Sequence, residues 1–377
     1  MRVLHWGTFD LGKPRTRILR AGIVAAGATL TDCHAPVWEG IEDKTQTRGF
    51  WRWLAAFTRW LGTYPGLVAR FMQAPQPDVV LTSFPGVFDT IVLAPFARLR
   101  GVPIVLDLFI STYDTLAFDR SIVRPRSIAG RFISVLERFA IQCAQLVLLD
   151  TETHARRIET LFGLQVGTCG AVMVGAETDV FRPLPREERP VGSALRVLFY
   201  GQFIPLHGIE TIIEAARLMS QETVHWTLIG KGQEGLRVRR MLEDQPLPSV
   251  HWIEWTNYEA LPRWIADADV VLGIFGTSEK AASVIPNKVF QALACGQPVI
   301  TRDSPAIREL VVDAPPCCQL VPAGNAPALA EAVRRQLTLH EIPSGTCHAS
   351  VRDAIGPEAI GRQFVRIVHE RLRVRMA

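Results

Sequence analysis

Short apolar runs alternate with amphipathic stretches along the whole chain. Runs bounded by turn residues predict buried strands, and apolar positions at helical spacing predict helices, as at Pro14–Ala26 and Gly130–Ala144. Strand–helix alternation of this kind is typical of a parallel, doubly wound α/β sheet. The strands predicted in the first half are Arg2–His5, Ala28–Cys33, Val79–Thr82, Pro103–Asp107 and Leu146–Leu149.

A change in composition separates the two halves. Arg182–Gly192 is rich in proline and charge and has no periodicity, which predicts a linker, and the alternation restarts after it. The strands predicted there are Arg196–Tyr200, His225–Ile229, Val250–Ile253, Val270–Ile274 and Pro298–Thr301. The predicted helices are Gly208–Ser220, Gln233–Glu243, Leu261–Ala266, Asn287–Cys295, Ser304–Val312 and Ile360–Arg375.

The two halves predict an α/β protein of two Rossmann-like domains that face each other across a cleft, the usual place for a small-molecule site. We assign residues 1–182 to an N-terminal domain and residues 193–348 to a C-terminal domain. Residues 349–377 are predicted to form a helical segment that packs back on the N-terminal domain. Ligands of such sheets bind beyond the carboxyl ends of the strands, so the candidate site residues are sought in the loops there.

Composition narrows the class of protein without identifying it. Of the 377 residues, 48% are hydrophobic and 21% charged, with a net charge of +4, which fits an ordinary globular protein and indicates no nucleic-acid partner. No apolar run is long enough to span a membrane and no signal peptide is recognised, so we expect a cytoplasmic protein. The seven cysteines lack metal-ligand spacing, and the adjacent Cys317 and Cys318 are badly placed to bridge each other, so free thiols are expected.

Two glycine-bounded loops in the second half suit an anion. The first runs from Gly201 to Gly208 between a strand and a helix and contains Gln202 and His207; it is either a phosphate-binding loop or a plain strand–helix turn. The second places Lys231 between two glycines directly after a strand. That lysine is either a point charge for phosphate or a solvated turn residue.

A third stretch places Pro286, Asn287 and Lys288 at the start of a helix that Gly296 ends. A helix N-terminus together with a lysine predicts a diphosphate site. Lys288 on its own is equally compatible with a surface charge. A cation at a helix start is, however, electrostatically unfavourable without an anion partner, which favours the binding site.

Taken together, these stretches resemble the retaining, two-Rossmann-domain (GT-B type) glycosyltransferases of family 4, over about residues 145–315. The resemblance implies transfer of a hexose from a nucleotide sugar to an acceptor hydroxyl, with retention and with no cofactor. The resemblance likewise implies that no metal is needed. The residues that carry the resemblance are Asp150–Glu152, Gly175–Pro183, Gly230–Gly232, Ala268–Val270, Asn287–Lys288 and Ala294–Val299.

The chain departs from the family at the donor site. Gln202 and His207 occupy positions where the family has an arginine and a lysine, and Ser283 and Gln291 replace two glutamates. Lys231 and Lys288 are therefore the expected diphosphate anchors, and a non-catalytic protein that binds a nucleotide sugar or a partner is the alternative. Trp255 either stacks on the base or belongs to the core. The predicted donor-binding residues are Gly12, Gly201, Gln202, His207, Lys231, Trp255, Pro286, Asn287, Lys288 and Gln291.

In the family, the N-terminal domain binds the acceptor. Asp107 ends a buried strand where the family often has a histidine that contacts the transferred sugar, so it joins Lys231 and Lys288 as a predicted catalytic residue; a helix cap is its alternative. Lys13, Arg15 and Asp114 are the predicted acceptor-binding residues, although Lys13 and Arg15 also fit a solvated helix end. We expect the donor diphosphate to help deprotonate the acceptor.

Residues 44–77 combine an aromatic stripe with a basic opposite face. This pattern indicates either an interfacial helix on an anionic membrane or a helix that packs on its own sheet. In the first case the protein is peripheral on the inner face of the membrane and its acceptor is a lipid-linked or cell-envelope polysaccharide precursor. In the second it is a soluble enzyme with a small-molecule acceptor. The predicted membrane contacts are Trp51, Trp53, Phe57 and Trp60.

Overall fold

A computed structural model describes residues 1–37, 50–186, 190, 192–311, 316–338 and 347–372. For residues 50–57 it describes the backbone alone. The chain forms two compact units. The N-terminal unit contains Met1–Ala117, Ser121–Val174 and Pro357–Ala377, and the C-terminal unit contains Phe118–Arg120 and Gly175–Gly356. The main division thus falls at Val174, before the proline-rich segment that the sequence marks as a linker.

The N-terminal unit is built on a six-stranded parallel sheet with the strand order β2-β1-β3-β4-β5-β6. Its strands are β1 (Arg2–Gly7), β2 (Thr29–His34), β3 (Val79–Ser83), β4 (Ile104–Asp107), β5 (Leu146–Leu149) and β6 (Cys169–Ala171). Its first helices are α1 (Pro14–Ala25), α2 (Phe50–Gln73), α3 (Val87–Arg100), α4 (Thr112–Asp114), α5 (Ile128–Cys143) and α6 (Glu152–Phe162). Strands β3, β4 and β5 are buried along their whole length, because helices cover both faces of the sheet.

The C-terminal unit repeats the design with a second six-stranded parallel sheet, in the order β12-β11-β10-β7-β8-β9. Its strands are β7 (Leu195–Tyr200), β8 (Val224–Ile229), β9 (Val250–Ile253), β10 (Val270–Leu272), β11 (Val299–Arg302) and β12 (Cys318–Val321). Its helices are α7 (Ile209–Leu218), α8 (Gly235–Asp244), α9 (Leu261–Asp267), α10 (Glu279–Ser283), α11 (Asn287–Ala294), α12 (Ala326–Leu337) and α13 (Ala349–Ile355). The two sheets confirm the predicted fold class, an α/β protein with two Rossmann-like domains.

The last helix, α14 (Pro357–Leu372), belongs to the N-terminal unit and crosses α1. The crossing is close because glycines meet there: a Cβ added at Gly361 would lie 1.8 Å from the carbonyl oxygen of Gly22. Phe364 and Val368 are buried in the same apolar cluster as Ile18 of α1. The end of the chain therefore completes the core of its first half.

Helix α2 carries the aromatic stripe, and its described part packs inward. Tyr64 and Phe71 are buried in the core of the N-terminal unit. Trp60 packs against that core, and its indole N–H donates to the Thr8 hydroxyl at 3.1 Å. Trp60, one of the predicted membrane contacts, thus packs within its own unit. The side chains of the other predicted contacts, Trp51, Trp53 and Phe57, lie outside the described residues.

Cys317 and Cys347 form a disulfide, with their Cα atoms 5.4 Å apart. The expectation of free thiols is therefore wrong for this pair, since it considered only neighbours along the chain. The other five cysteines are buried and outside any disulfide. In the parts of the chain that the structure describes, no helix has the length and apolar character needed to cross a membrane.

Candidate functional site

Lys288 lies in the first turn of α11 and is only 4% exposed. Its Nζ is 3.8 Å from the centroid of the Phe199 ring and has no hydrogen-bond partner among the described residues. Burial lowers the pKa of this ammonium well below its ordinary value. A cation–π contact offsets only part of the cost of desolvating a cation, so the position suits an incoming anion.

The loop after β7 closes around this lysine. Gly201 adopts φ 138°, and a Cβ there would lie 2.9 Å from Lys288 Nζ and 3.2 Å from Cε1 of His207. Only glycine allows the backbone to approach so closely in this conformation. Gly208, in the left-handed conformation, ends the 3₁₀ turn Pro205–His207 and begins α7. Gly201, His207 and Lys288 therefore meet, as the sequence predicts.

His207 is held in one tautomer. Its Nδ1 faces the carbonyl oxygen of Gln202, which can only accept, so Nδ1 donates and Nε2 is left as an acceptor in the neutral ring. Burial, and after it the positive charge of Lys288, lowers the pKa of His207 well below its ordinary value. Both effects favour the neutral form of the His207 ring.

The loop that holds Lys231 lies directly against the Gly201 loop. A Cβ added at Gly230 would be 1.9 Å from the carbonyl oxygen of Gly201, and one added at Gly232 would be 2.6 Å from that of Phe203. The Phe203 amide donates to the Lys231 carbonyl at 3.0 Å. The two glycines thus make the contact between loops sterically feasible, and Lys231 is exposed beside it.

Arg120 adds a cation that the sequence analysis missed. It belongs to the short segment Phe118–Arg120 that clusters with the C-terminal unit. Its Nη2 donates to Oε1 of Gln202 at 3.2 Å, and its carbonyl accepts from Nε2 of Gln233 at 3.1 Å. Its charge contributes to the lowered pKa of His207, and its Nε is buried with no partner in the described structure. A guanidinium therefore reaches the loop in which Gln202 replaces the family's arginine.

Gln291, one turn beyond Lys288 on α11, is bound at both ends of its amide. Its Oε1 accepts from the Tyr200 hydroxyl at 2.8 Å, and its Nε2 donates to the Tyr258 hydroxyl at 3.3 Å. The Tyr258 hydroxyl in turn donates to the carboxylate of Glu177. This chain of hydrogen bonds fixes a neutral amide where the family has a carboxylate. Ser283, at the other such position, donates to the Glu279 carbonyl at 2.7 Å.

Three further predicted donor residues lie in the same unit. Pro286 is the N-cap residue of α11 and Asn287 its first residue, and both are partly buried. Trp255 lies beyond β9 and is 54% exposed, so the alternative that it belongs to the core is wrong.

The predicted catalytic and acceptor residues of the N-terminal unit pair with one another or with neighbours. Arg15 donates from Nη2 to Oδ1 of Asp107 at 2.6 Å, both side chains are at most 1% exposed, and Arg15 also donates to the Val172 carbonyl. Asp114 is fully buried and accepts from Arg157 at 2.7 Å. The predicted catalytic residue Asp107 and the predicted acceptor residues Arg15 and Asp114 therefore each lie in a buried ion pair.

Gly12 and Lys13 remain at the surface of the N-terminal unit. Gly12 is exposed, and its amide donates to Oδ1 of Asp10 at 2.9 Å. Lys13 is half-buried at the N-cap of α1. Across the described residues, no group of three or more histidine, cysteine, aspartate or glutamate side chains is arranged to hold a metal ion.

Family models of known proteins match both units. Residues 13–167 match the model of the glycosyl transferase 4-like domain, and residues 194–338 match that of glycosyl transferases group 1. The putative colanic acid biosynthesis glycosyl transferase WcaI of Escherichia coli is 26% identical over 171 residues, which are 45% of this chain and 42% of the relative. The alignment thus spans less than half of the length of that relative.

Solved structures match over almost the whole chain. Sucrose-phosphate synthase from Thermosynechococcus elongatus superposes with a TM-score of 0.68 at 16% identity, covering 99% of each chain. HepE from Anabaena in complex with UDP-glucose superposes with a TM-score of 0.62 at 17% identity, covering 98% of this chain and 100% of that one. At these identities the superpositions show a shared fold. With the two domain models, they identify the chain as a member of the GT-B glycosyltransferases that resembles family 4.

Proposed function

We propose that the protein transfers a hexose from a nucleotide sugar to an acceptor hydroxyl with retention, without a metal ion. The observation that carries this proposal is the buried ammonium of Lys288, which faces the Gly201 backbone and His207 and lacks an anion among the described residues. Membership of the GT-B glycosyltransferases gives the reaction class, and a solved relative of the same fold is in complex with UDP-glucose.

The donor diphosphate would bind where the start of α11 meets the two glycine loops. The first-turn N–H groups of α11 are capped by no side chain, so they can donate to phosphate oxygens together with Lys288. Lys231 and Arg120 supply two further cations beside the same loops. Together these three cations take over the role that the family gives to residues replaced here by Gln202 and His207.

The same groups would act on the reaction itself. When the bond to the sugar breaks, negative charge develops on the leaving diphosphate, and cations already in place stabilise it without reorganisation. We propose that a diphosphate oxygen helps to remove the proton of the acceptor hydroxyl. An anion beside His207 raises the pKa of its ring, so protonated Nε2 becomes an additional donor to the leaving group.

Further residues would position the nucleoside and the acceptor. We propose that Trp255, exposed beyond β9, stacks on the base, and that Gln291, oriented by Tyr200 and Tyr258, accepts from a ribose hydroxyl. The proposed acceptor is a lipid-linked or cell-envelope polysaccharide precursor, which is supported by the similarity to a protein named for colanic acid biosynthesis.

A thermal-shift screen with UDP-, GDP-, ADP- and TDP-sugars tests the proposal. The wild-type protein is expected to respond to sugars of one base, and a hydrolysis or transfer assay with that donor should release the nucleoside diphosphate. Gly201→Ala should lose the shift, because the added Cβ would lie 2.9 Å from Lys288 Nζ.

Gly192→Ala is the matched control for that variant. Gly192 also has a positive φ, 83°, but nothing lies within 4 Å of an added Cβ, so this variant should keep the shift. No shift with any donor would contradict the proposed function. Donor binding without hydrolysis or transfer would instead support the non-catalytic alternative.

A further inference from the structure

Helix α5 exposes a stripe of large apolar side chains. Ile128, Phe132, Val135 and Phe139 are 91%, 66%, 67% and 52% exposed. Their spacing of four, three and four residues places all four on one side of the helix. We propose that this α5 stripe docks on the surface of an anionic lipid bilayer.

The stripe is not the face that holds α5 in the fold. Ala140, Ile141 and Cys143 of the same helix are buried in the cores of the N-terminal unit. Gly130, near the start of the helix, is also buried. The helix therefore has an inward apolar face and a second, outward one, and a continuous exposed apolar strip of this kind marks a site of interaction.

The exposed charges of α5 and of the turn before it are all positive. Arg131 and Arg138 are exposed on α5 itself, and Arg124 and Arg126 are exposed just before it. The single acid in the sequence of α5, Glu137, is buried, where it accepts from the Ser111 hydroxyl and from backbone amides of the following turn at 2.9 to 3.0 Å. The exposed charged side chains of α5 are therefore both arginines.

The turn before α5 is fixed against the helix start. The Ser127 hydroxyl accepts from the Gly130 amide at 3.1 Å and donates to the Arg124 carbonyl at 2.7 Å. A Cβ at Gly130 would lie 2.4 Å from that same carbonyl oxygen. Arg124 and Arg126 are thus held at the N-terminal end of the α5 stripe, while Arg131 and Arg138 flank it further along.

This combination fits an anionic membrane better than a second copy of the chain. Two copies that paired through the same face would bring the arginines of one against those of the other. Lipid phosphates instead pair with the arginines while the apolar side chains enter the boundary between headgroups and acyl chains, about 5–10 Å deep. The docking surface is independent of the donor site, and it would bring the protein to lipid-linked acceptors.

Co-sedimentation of the full chain with vesicles tests the proposal. Vesicles of phosphatidylcholine with an equal share of phosphatidylglycerol should retain the protein, and pure phosphatidylcholine should retain it roughly tenfold less. The double variant Phe132→Ser/Phe139→Ser should lose roughly tenfold or more in partition coefficient. Arg131→Gln/Arg138→Gln should lose a similar factor at low salt and show a weaker salt dependence.

Leu236→Ser is the matched control, because Leu236 is 72% exposed but lies on α8 in the C-terminal unit. It should sediment like the wild type. All substituted side chains are exposed, and unchanged circular dichroism and melting would verify folding. The proposal would be overturned if the phenylalanine variant sedimented like the wild type, or if the wild type bound vesicles equally with and without anionic lipid. It would also be overturned if the wild type formed a dimer that the phenylalanine substitutions dissociate. Nucleotide-sugar binding is measured in a separate experiment, so a negative vesicle result would not contradict the proposed donor site.

Discussion

The Nζ of Lys288 lies 3.8 Å from the centre of the Phe199 ring. Phe199 belongs to β7 in the middle of the C-terminal sheet, and Lys288 to the first turn of α11. A cation placed by two rigid elements, with no acceptor among the described residues, lowers the stability of the free protein. Such local costs are typical of functional sites, where a ligand later supplies the missing partner.

Lys288→Met should therefore stabilise the free protein while weakening donor binding by about 1.5–3 kcal/mol. Methionine fills a similar volume beside Phe199 without a charge that must be desolvated or deprotonated. We expect the free energy of unfolding to rise by about 1–3 kcal/mol, the cost of an unsatisfied buried polar group. Urea denaturation without ligand measures the change, and titration with the nucleotide sugar measures the loss of binding.

Lys231→Met is the control for this stability effect. Lys231 is exposed, so its substitution should leave the free energy of unfolding within about 0.5 kcal/mol of the wild type. A Lys288→Met variant less stable than the wild type would show that the ammonium has an anion partner in the free protein, and would contradict the description of the site.

Donor binding should be accompanied by proton uptake. Burial lowers the pKa of Lys288 and of His207 in the free protein, and a bound diphosphate raises both. Between the free and bound pKa values the complex holds more protons than its components, so affinity falls as pH rises through that window. Calorimetric titration in two buffers of different ionisation enthalpy, between about pH 6 and 9, measures the uptake.

Lys288→Met is the informative comparison, since it removes one of the two titrating groups. The remaining uptake should then belong to His207 alone and occur at the lower end of the pH range. Equal heats in both buffers at every pH would mean that neither group changes its protonation on binding.

Arg120 should contribute to binding through the diphosphate and not through the nucleoside. Arg120→Ala removes a charged hydrogen-bond donor, so the affinity for the nucleotide sugar should fall by about 1.5–3 kcal/mol while that for the free nucleoside stays the same. Competition binding with the nucleotide sugar and the free nucleoside measures the two affinities. Arg263→Ala, which removes an exposed guanidinium paired with Asp267, is the matched control and should change neither affinity. An equal loss of affinity for the nucleotide sugar and the nucleoside would show that Arg120 does not act through the diphosphate.

The sequence predicts what depends on local signals. The helix expected over Asn287–Cys295 spans Asn287–Ala294, because Pro286 and Gly296 mark its two ends. The glycines of the Gly201 and Gly230 loops likewise identify close backbone approaches before any contact is known. Each stretch of the proposed donor site is therefore recognisable from residues that are neighbours in the chain.

Features made by distant residues were missed or misread. Arg120 acts on Gln202 across 82 positions of sequence, and Arg15 pairs with Asp107 across 92. No periodicity encodes either pairing, so Asp107 resembled a free acid at a strand end. The edge strand Cys318–Val321 was not predicted. A helix was expected over Ser304–Val312, and in the described part of that segment, residues 304–311, the structure has a 3₁₀ turn at Ile307–Glu309. In these segments tertiary contacts override weak local preference.

The disulfide gives a chemical prediction. Denatured, unreduced protein should contain five titratable thiols, and reduction should raise the number to seven. The bridge closes a sequence separation of 30 residues, so Cys317→Ser/Cys347→Ser should lose roughly 3–4 kcal/mol in the chain-entropy treatment. Seven thiols before reduction would show that the bridge does not form under the conditions of purification.

Calorimetric titration of wild type and Lys288→Ala with the nucleotide sugar that gives the largest thermal shift tests whether Lys288 anchors the donor. We expect the variant to bind more weakly by about 1.5–3 kcal/mol, roughly 10- to 150-fold in Kd, because it loses the buried ammonium that pairs with the diphosphate. Equal affinity of the two proteins would contradict the central claim that Lys288 anchors the donor.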